Sequence, residues 1–370
     1  MEDKAIRVRL EQTTPIPLDV DFSCGSGAIL VILGPSGSGK TTILRSIAGL
    51  YRPQNGEIVT KGESWFDSEK NLHLATQQRK TGMVFQDYAL FPHLNALKNI
   101  CISISHLGAS AQVEKAEALL EKVNMHGLGS RYPHQLSGGQ QQRIALARAL
   151  ARDPKVLLLD EPFSAVDQQT RRKLLRELMQ LRTQVDIPII HVTHDLNEAR
   201  RIADNICIIH HGKTLQIDTP PRVMSKPLNK NVAHLLGHYN IFSAKIEKHD
   251  EETNLTYIRW YEYLLEAPFQ PGLNIGEEID WVIPAENLIL HRKDRPSKGE
   301  RENPVSGEII ECIPMGENTS VTLKAQGTES VLTMSVPSHV AHRNGLECGM
   351  TASVSLLSES IHLMSQSELQ

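Results

Sequence analysis

Aromatic residues make up only 5% of this 370-residue chain, and there are five cysteines: Cys24, Cys101, Cys207, Cys312 and Cys348. The cysteines are scattered and odd in number, which argues against a disulfide scaffold and gives no metal-ligand spacing. Reduced thiols in a cytoplasmic protein fit them. The sixteen histidines form no ligand cluster either. Apolar runs such as residues 28–33 stop far short of the ~20 residues needed to cross a bilayer. Met1-Glu2-Asp3-Lys4 opens with acids and no apolar signal-peptide core. A net charge of -4 argues against general affinity for nucleic acid. What remains is an ordinary globular composition, 40% hydrophobic and 22% charged, at a length that implies two or more domains.

One segment carries most of the chemistry. Gly34-Pro35-Ser36-Gly37-Ser38-Gly39-Lys40-Thr41 follows the apolar run 29–33 and reads G-x-x-x-x-G-K-[ST]. Glycines let successive backbone N–H groups curl around a polyphosphate with no Cβ in the way. Lys40 reaches the β- and γ-phosphates, and the Thr41 hydroxyl ligates Mg²⁺. The segment that begins at Thr42 and runs to Leu50 reads as a helix, so its positive end also points at the anion. The strand before and the helix after set this match apart from an ordinary glycine-rich turn. Nucleotide binding is therefore expected.

The first two thirds of the chain alternate short apolar strands with helix-period segments. Strands are expected at 29–33, 83–85, 156–159, 189–192 and 206–210, and helices at 111–123, 140–151, 168–184 and 196–203. Leu174, Leu175, Leu178 and Leu181 form the apolar stripe of the third helix, with Arg171, Arg172 and Lys173 on its solvated side. Asp195 followed by Glu198 is a capping-box pattern at the start of the fourth. Such alternation predicts a parallel sheet covered on both faces. Composition changes near His238. Short alternating runs at 241–246, 255–260, 279–283, 308–313, 321–325, 332–336 and 352–356 predict an all-β barrel or sandwich. The charged stretch 292–303 is expected to be an exposed connection between its halves. The domains are accordingly drawn at 1–238 and 239–370.

Val156-Leu157-Leu158-Leu159-Asp160-Glu161 reads as a buried strand ending in two carboxylates. Ligands bind at the carboxyl edge of open α/β sheets. Asp160 is then placed to hold the Mg²⁺ shell, and Glu161 to polarise the attacking water. Leu136-Ser137-Gly138-Gly139-Gln140 is a second glycine-bearing helix start. Ser137 is a good N-cap, and the glycines expose backbone amides to an anion.

With this L-S-G-G-Q beside a phosphate loop, the chain resembles the ATP-binding-cassette family from about residue 7 to residue 238. The resemblance implies an α/β P-loop NTPase with a helical subdomain, here followed by an all-β, OB- or barrel-like C-terminal domain. It also implies further roles. Gln86 is similar to the Q-loop glutamine, which contacts Mg²⁺ and the lytic water. Ser164-Ala165-Val166-Asp167 is similar to the D-loop, although Val166 stands where leucine is more usual. His194 is similar to the switch histidine that senses the γ-phosphate. Ser137, Gly138, Gly139, Gln140 and Asp167 thereby join the nucleotide-binding residues, while His191 receives no role. One family element is missing. Cassettes stack adenine on an aromatic in the first hairpin, yet residues 10–17 hold none, and Phe22 reads as core. Weak discrimination between ATP and GTP is expected from that gap.

One phosphate loop and one signature make half of each site, so the resemblance implies a head-to-tail homodimer sandwiching two ATP with Mg²⁺. Tyr88-Ala89-Leu90-Phe91-Pro92-His93-Leu94 lies where importer cassettes receive a permease coupling helix. The implied activity is ATP hydrolysis by the peripheral subunit of an importer at the cytoplasmic face of the membrane. Its implied partners are permease subunits and, indirectly, a solute-binding protein, with no nucleic acid. Soluble repair or translation cassettes usually carry two cassettes or a long coiled coil, and this chain shows neither. Trp281-Val282-Ile283-Pro284 and Arg301-Glu302-Asn303-Pro304-Val305-Ser306-Gly307 are similar to molybdate importer ATPases with a TOBE/MOP-like C-terminal fold. Molybdate is the first expectation for the solute; sulfate, ferric iron and polyamines are the alternatives.

Overall fold

Runs of Ile, Val and Leu too short for a helix are buried most simply as central strands, paired on both sides and covered above and below. That is where the computed structural model places them. It describes residues 4–164, 166–291 and 301–366, in two units, Met1–Pro221 and Arg222–Gln370. Ala165 of the D-loop and most of the charged connection, 292–300, lie outside the described residues.

The first unit opens with strands β1 (Lys4–Gln12), β2 (Leu18–Gly25) and β3 (Ile29–Leu33), then helix α1 (Lys40–Ala48). Strands β4 (Asn55–Thr60), β5 (Glu63–Asp67), β6 (Leu72–His73) and β7 (Thr81–Val84) follow. Three helices, α2 (Ala96–Cys101), α3 (Ala109–Lys122) and α4 (Gly138–Leu150), are inserted before β8 (Val156–Asp160). The unit continues with α5 (Gln168–Arg182), β9 (Ile189–Thr193), α6 (Leu196–Ile202), β10 (Asn205–His210) and β11 (Lys213–Asp218). All eleven strands join one sheet, ordered β6-β5-β4-β1-β2-β11-β10-β3-β9-β8-β7.

The expected parallel sheet is half of what forms. The stretch β10-β3-β9-β8-β7 is parallel throughout. Beyond it the sheet continues as an antiparallel ribbon, β2-β1-β4-β5-β6. β11 bridges the two, antiparallel to β10 and parallel to β2. The ribbon escaped the sequence reading because its two longest strands, β1 and β2, alternate buried and exposed residues and carry charges on the open face.

Arg79 fixes the far end of the helix that follows the phosphate loop. Its guanidinium is fully buried. It donates to the Ser46 and Ile47 carbonyls at 2.6 and 2.8 Å, and to the Leu74 and Trp65 carbonyls at 2.9 and 3.1 Å. Ser46 and Ile47 lie in the last turn of α1, where carbonyls lack helical partners and a cation is favoured by the helix dipole. Gly49 ends α1 at φ 78, and a Cβ there would come within 2.8 Å of Arg79 Nε.

In the second unit, α7 (Pro220–Ser225) straddles the boundary, and α8 (Lys230–Leu235) leads into ten strands. These are β12 (Ile241–Asp250), β13 (Leu255–Trp260), β14 (Tyr263–Pro268), β15 (Glu278–Val282) and β16 (Leu288–Leu290), then β17 (Pro304–Pro314), β18 (Asn318–Ala325) and β19 (Val331–Pro337). Helix α9 (Ser338–Arg343), β20 (Thr351–Leu356) and β21 (His362–Ser365) complete the unit. Two five-stranded sheets result, β14-β13-β12-β15-β21 and β16-β20-β17-β18-β19. Their inner faces share one core, in which Trp260 and Trp281 meet edge to face at 5.4 Å, with Phe242 against both. The architecture is all-β and barrel-like, as expected. Gly307 in β17 has no alternative, because a Cβ there would sit 2.1 Å from the Lys324 carbonyl. Residues 222–238, assigned to the first domain by sequence, sit in the second unit. His238 Nε2 hydrogen-bonds the Met224 carbonyl and His362 Nε2 the Pro227 carbonyl, each at 3.0 Å.

Burial pushes the His362 imidazole down to about 4. An unfolded histidine titrates near about 6.5, so as pH falls the unfolded chain takes up the proton first. The stabilisation is complete above about pH 6.5 and is lost progressively down to about pH 4, by roughly 3 kcal/mol. Urea melts of the full chain at pH 7 and pH 4.5 should show this loss for the second unit. His362→Gln, which keeps a donor for Pro227, should flatten the dependence; an unchanged pH slope in that variant would rule out His362 as its source.

Candidate nucleotide site

Strand register brings the expected residues to one edge. Leu33 pairs with Thr193, Asp160 with Val192, and Val84 with Leu159. The phosphate loop after Leu33, Gln86 after Val84, Glu161 after Asp160 and His194 after Thr193 therefore all emerge at the carboxyl edge of the parallel strands.

In the phosphate loop each glycine has a local reason. A Cβ on Gly34 would strike the Ile209 carbonyl at 2.1 Å, and Gly37 and Gly39 take φ of 80 and 93. Lys40 is buried, and its Nζ donates to the Gly34 and Pro35 carbonyls at 2.9 and 2.8 Å. Desolvation lowers the Lys40 pKa, against the opposing charges of Glu161 and Asp160. Ser38 Oγ is buried and has no hydrogen-bond partner among the described residues. A buried orphan hydroxyl and an ammonium resting on carbonyls are what a phosphate-binding loop offers an anion. Ser36 is exposed at the loop's crest, while Thr42 is buried in the first turn of α1.

Thr41 Oγ1 donates to Asp160 Oδ1 at 3.1 Å, so the two residues expected to hold a divalent cation already touch. Burial raises the Asp160 pKa, and the Thr41 hydrogen bond works against that shift. Glu161 takes φ 44, an uncommon conformation for a non-glycine residue and one that concentrates at functional sites. Its Oε2 lies 3.1 Å from His194 Nδ1, with His194 over half exposed and the Glu161 side chain 18% exposed. Gln86 is exposed two residues beyond β7.

The signature segment stands apart from this group. Ser137 caps α4 and Gln140 completes the box, with Ser137 N donating to Gln140 Oε1 at 2.9 Å and Gln140 N to Ser137 Oγ at 3.4 Å. Ser137 is exposed, and the missing Cβ atoms of Gly138 and Gly139 would face Val166 and Thr170. Asp167 caps α5, its carboxylate accepting from Gln169 N and Thr170 N at 2.9 and 3.0 Å; hydrogen bonding from Thr170, by its side chain first and then its backbone, holds the Asp167 pKa low.

Residues 18–164 match the family model described as ABC transporter. The Fe(3+) ions import ATP-binding protein FbpC 2 of Haemophilus influenzae is 45% identical over 315 residues, 84% of this chain and 83% of that one. The chain belongs to the ABC transporter ATP-binding family. The sulfate/thiosulfate import ATP-binding protein CysA of Bacillus cereus is 37% identical over 85% of this chain and 84% of its own length. Among solved structures, CbiO1 of Clostridium perfringens, part of the ABC transporter complex cbiONQ, matches with a TM-score of 0.54 at 25% identity. That match covers 60% of this chain and 91% of that one. As an ABC ATPase, the chain has ATP as its nucleotide.

Arg148 has no role in the sequence reading, and Glu198 takes a partner other than the one its local pattern predicts. Arg148, in the last turn of α4, donates to the Ala89 and Tyr88 carbonyls at 2.7 and 2.8 Å, and its guanidinium sits 5.9 Å from the Phe91 ring centroid. Tyr88 and Ala89 both take positive φ, 61 and 44, so consecutive carbonyls turn toward that cation. Glu198 was expected to close a capping box with Asp195. Asp195 does cap α6, but the Glu198 carboxylate turns instead to the Thr193 hydroxyl at 2.8 Å. In both cases the sequence shows only an arginine or a glutamate on an amphipathic helix, and the partner lies on another element. Phe22 is core, as expected, and no described helix is long and apolar enough to cross a membrane.

If Glu161 activates water, Glu161→Gln keeps the packing and loses the base. Turnover should fall by at least about 10²-fold, with ATP affinity within a few-fold of the parent by calorimetry. Normal turnover in the variant would remove Glu161 from the chemistry.

Proposed function

We propose that this chain hydrolyses ATP as the motor subunit of a membrane importer for an inorganic ion, acting as a homodimer beneath integral-membrane permease subunits. The observation that carries it is the divided site. Lys40, Thr41, Asp160, Glu161 and His194 share one edge, whereas the signature lies at the start of another helix, α4, with Ser137 exposed and no hydrogen bond to that group among the described residues. A second copy, head to tail, brings Ser137, Gly138, Gly139 and Gln140 over the nucleotide, with Asp167 beside them.

In this reading residues 1–238 are the cassette and 239–370 a TOBE/MOP-like regulatory domain. Thr41, Asp160 and Gln86 are the residues that would hold Mg²⁺, and the ion would neutralise charge on the β- and γ-phosphates. Lys40 exchanges its loop carbonyls for phosphate oxygens. Glu161 takes the proton of the attacking water, and His194 orients Glu161 and senses the γ-phosphate. Because both copies bind the γ-phosphate, its loss favours the open dimer. Sedimentation of Glu161→Gln with ATP should show dimers, and monomers at all ATP concentrations would sink the divided-site account.

Phe91 is 39% exposed in a loop held by Arg148 and Asn99, the surface proposed to receive a permease. Phe91→Ala with Leu94→Ala should weaken co-purification of the permease from membranes and leave basal hydrolysis unchanged. Undiminished co-purification would argue for a soluble ABC ATPase or another docking face.

For the solute, relatives are named for ferric iron and for sulfate or thiosulfate. The segment Trp281-Val282-Ile283-Pro284 and the strand entry at 301–307 are the grounds for keeping molybdate beside them. Uptake by cells lacking the gene, measured with molybdate, sulfate and ferric iron, separates the three. Loss of polyamine uptake alone, or of none, would overturn the inorganic-ion reading.

A further inference from the structure

Behind the hydrolytic edge lies a second polar cluster, with His191, Thr193 and Glu198 buried and Arg171 and Asp195 partly exposed, that the reaction scheme above does not use. His191 and Glu198 are both buried, and His191 Nε2 lies 3.3 Å from Glu198 Oε2. The same carboxylate oxygen accepts from Thr193 Oγ1 at 2.8 Å, and Thr193 Oγ1 in turn accepts from Asp195 N at 3.0 Å. Arg171 closes the cluster from α5. Its Nη1 donates to Asp195 Oδ2 at 3.0 Å, its Nη2 to the Val166 carbonyl at 3.3 Å, and its Nε lies 3.5 Å from Glu198 Oε1. On its other side the His191 ring packs against Phe163, centroids 5.5 Å apart.

The placement matters more than the bonds. Thr193 and Asp195 flank His194, Phe163 follows Glu161 by two residues, and Val166 precedes Asp167. Two connections that carry site residues, between β8 and α5 and between β9 and α6, are joined from behind by one charged cluster. A buried ion pair is weak evidence for stability, since a well-packed apolar substitute is often neutral or better. Its strength is directional: each member fixes the orientation of the next.

We propose that His191, Glu198 and Arg171 are positioning residues that hold His194 against Glu161 and tie both to the turn bearing Asp167. None of the three touches the nucleotide in this account; they act through the segments they hold. The inference rests on the roles given to Glu161 and His194, and the test separates the two.

The experiment is a double-mutant cycle on the full chain, with ATPase kinetics, ATP affinity by calorimetry and melting temperature measured together. His194→Ala should lose at least about 10²-fold in kcat; if it does not, the site reading fails first. Glu198→Gln and Arg171→Lys should each lower kcat about 10-fold or more, with ATP affinity within about 2-fold. Added to His194→Ala, either should have no further effect, because the residue through which they act is already gone. Thr193→Ser, which keeps the hydroxyl, should retain turnover that Thr193→Val loses. Losses that multiply in the double variants, or that appear only in melting temperature, would overturn the proposal. Should Glu198→Gln fail to fold, the Arg171 and Thr193 pairs decide it alone.

Discussion

Parallel strands hydrogen-bond to one another only if all of them end at the same side of the sheet, and everything at the phosphate site follows from that constraint. The five strands of the parallel half are buried, so register and polarity are set by packing rather than by the residues that do chemistry. Leu33, Val84, Asp160 and Thr193 are the last residues of their strands. Each next turn therefore delivers its side chains to the same edge of the sheet. The chemistry of the turns is borrowed from the rigidity of the strands beneath them.

The edge also carries one strained residue and one unpaired hydroxyl. Glu161 is held at positive φ by its backbone N–H bond to the Val192 carbonyl at 3.1 Å. Ser38 Oγ is an orphan inside a loop whose glycines leave no side chain to satisfy it. Arg79, with no acid in contact, uses its donors on four carbonyls, two of them at the end of the helix that begins at Lys40.

Sequence gave away the elements with a single strong period. The strand 29–33 and the strand 255–260 are found where the pattern puts them, and the helix carrying Leu174 and Leu178 starts at Gln168 as expected. The motifs at Gly34–Thr41, Asp160-Glu161 and Ser137–Gln140 were legible because short-range geometry forces their order. The antiparallel ribbon was not, since one face of it is solvent and its charges dilute the signal. Nor were Arg148, Arg171 and Glu198, whose partners lie on other elements or loops: a sequence displays neighbours along the chain, and these residues act across it. Glu198 shows the limit best, because a correct local rule predicted its cap at Asp195 and a tertiary bond outcompeted that cap.

Helix α4 spans thirteen residues, about 20 Å of rod. Its first residues are the signature glycines, and Arg148 near its other end grips the Tyr88–Phe91 loop. A rod of that length pivoting by about ten degrees displaces one tip by roughly 3 Å relative to the other. That is about the span of a hydrogen bond, so a small tilt of α4 at its signature end would be enough to make or break the grip at the loop.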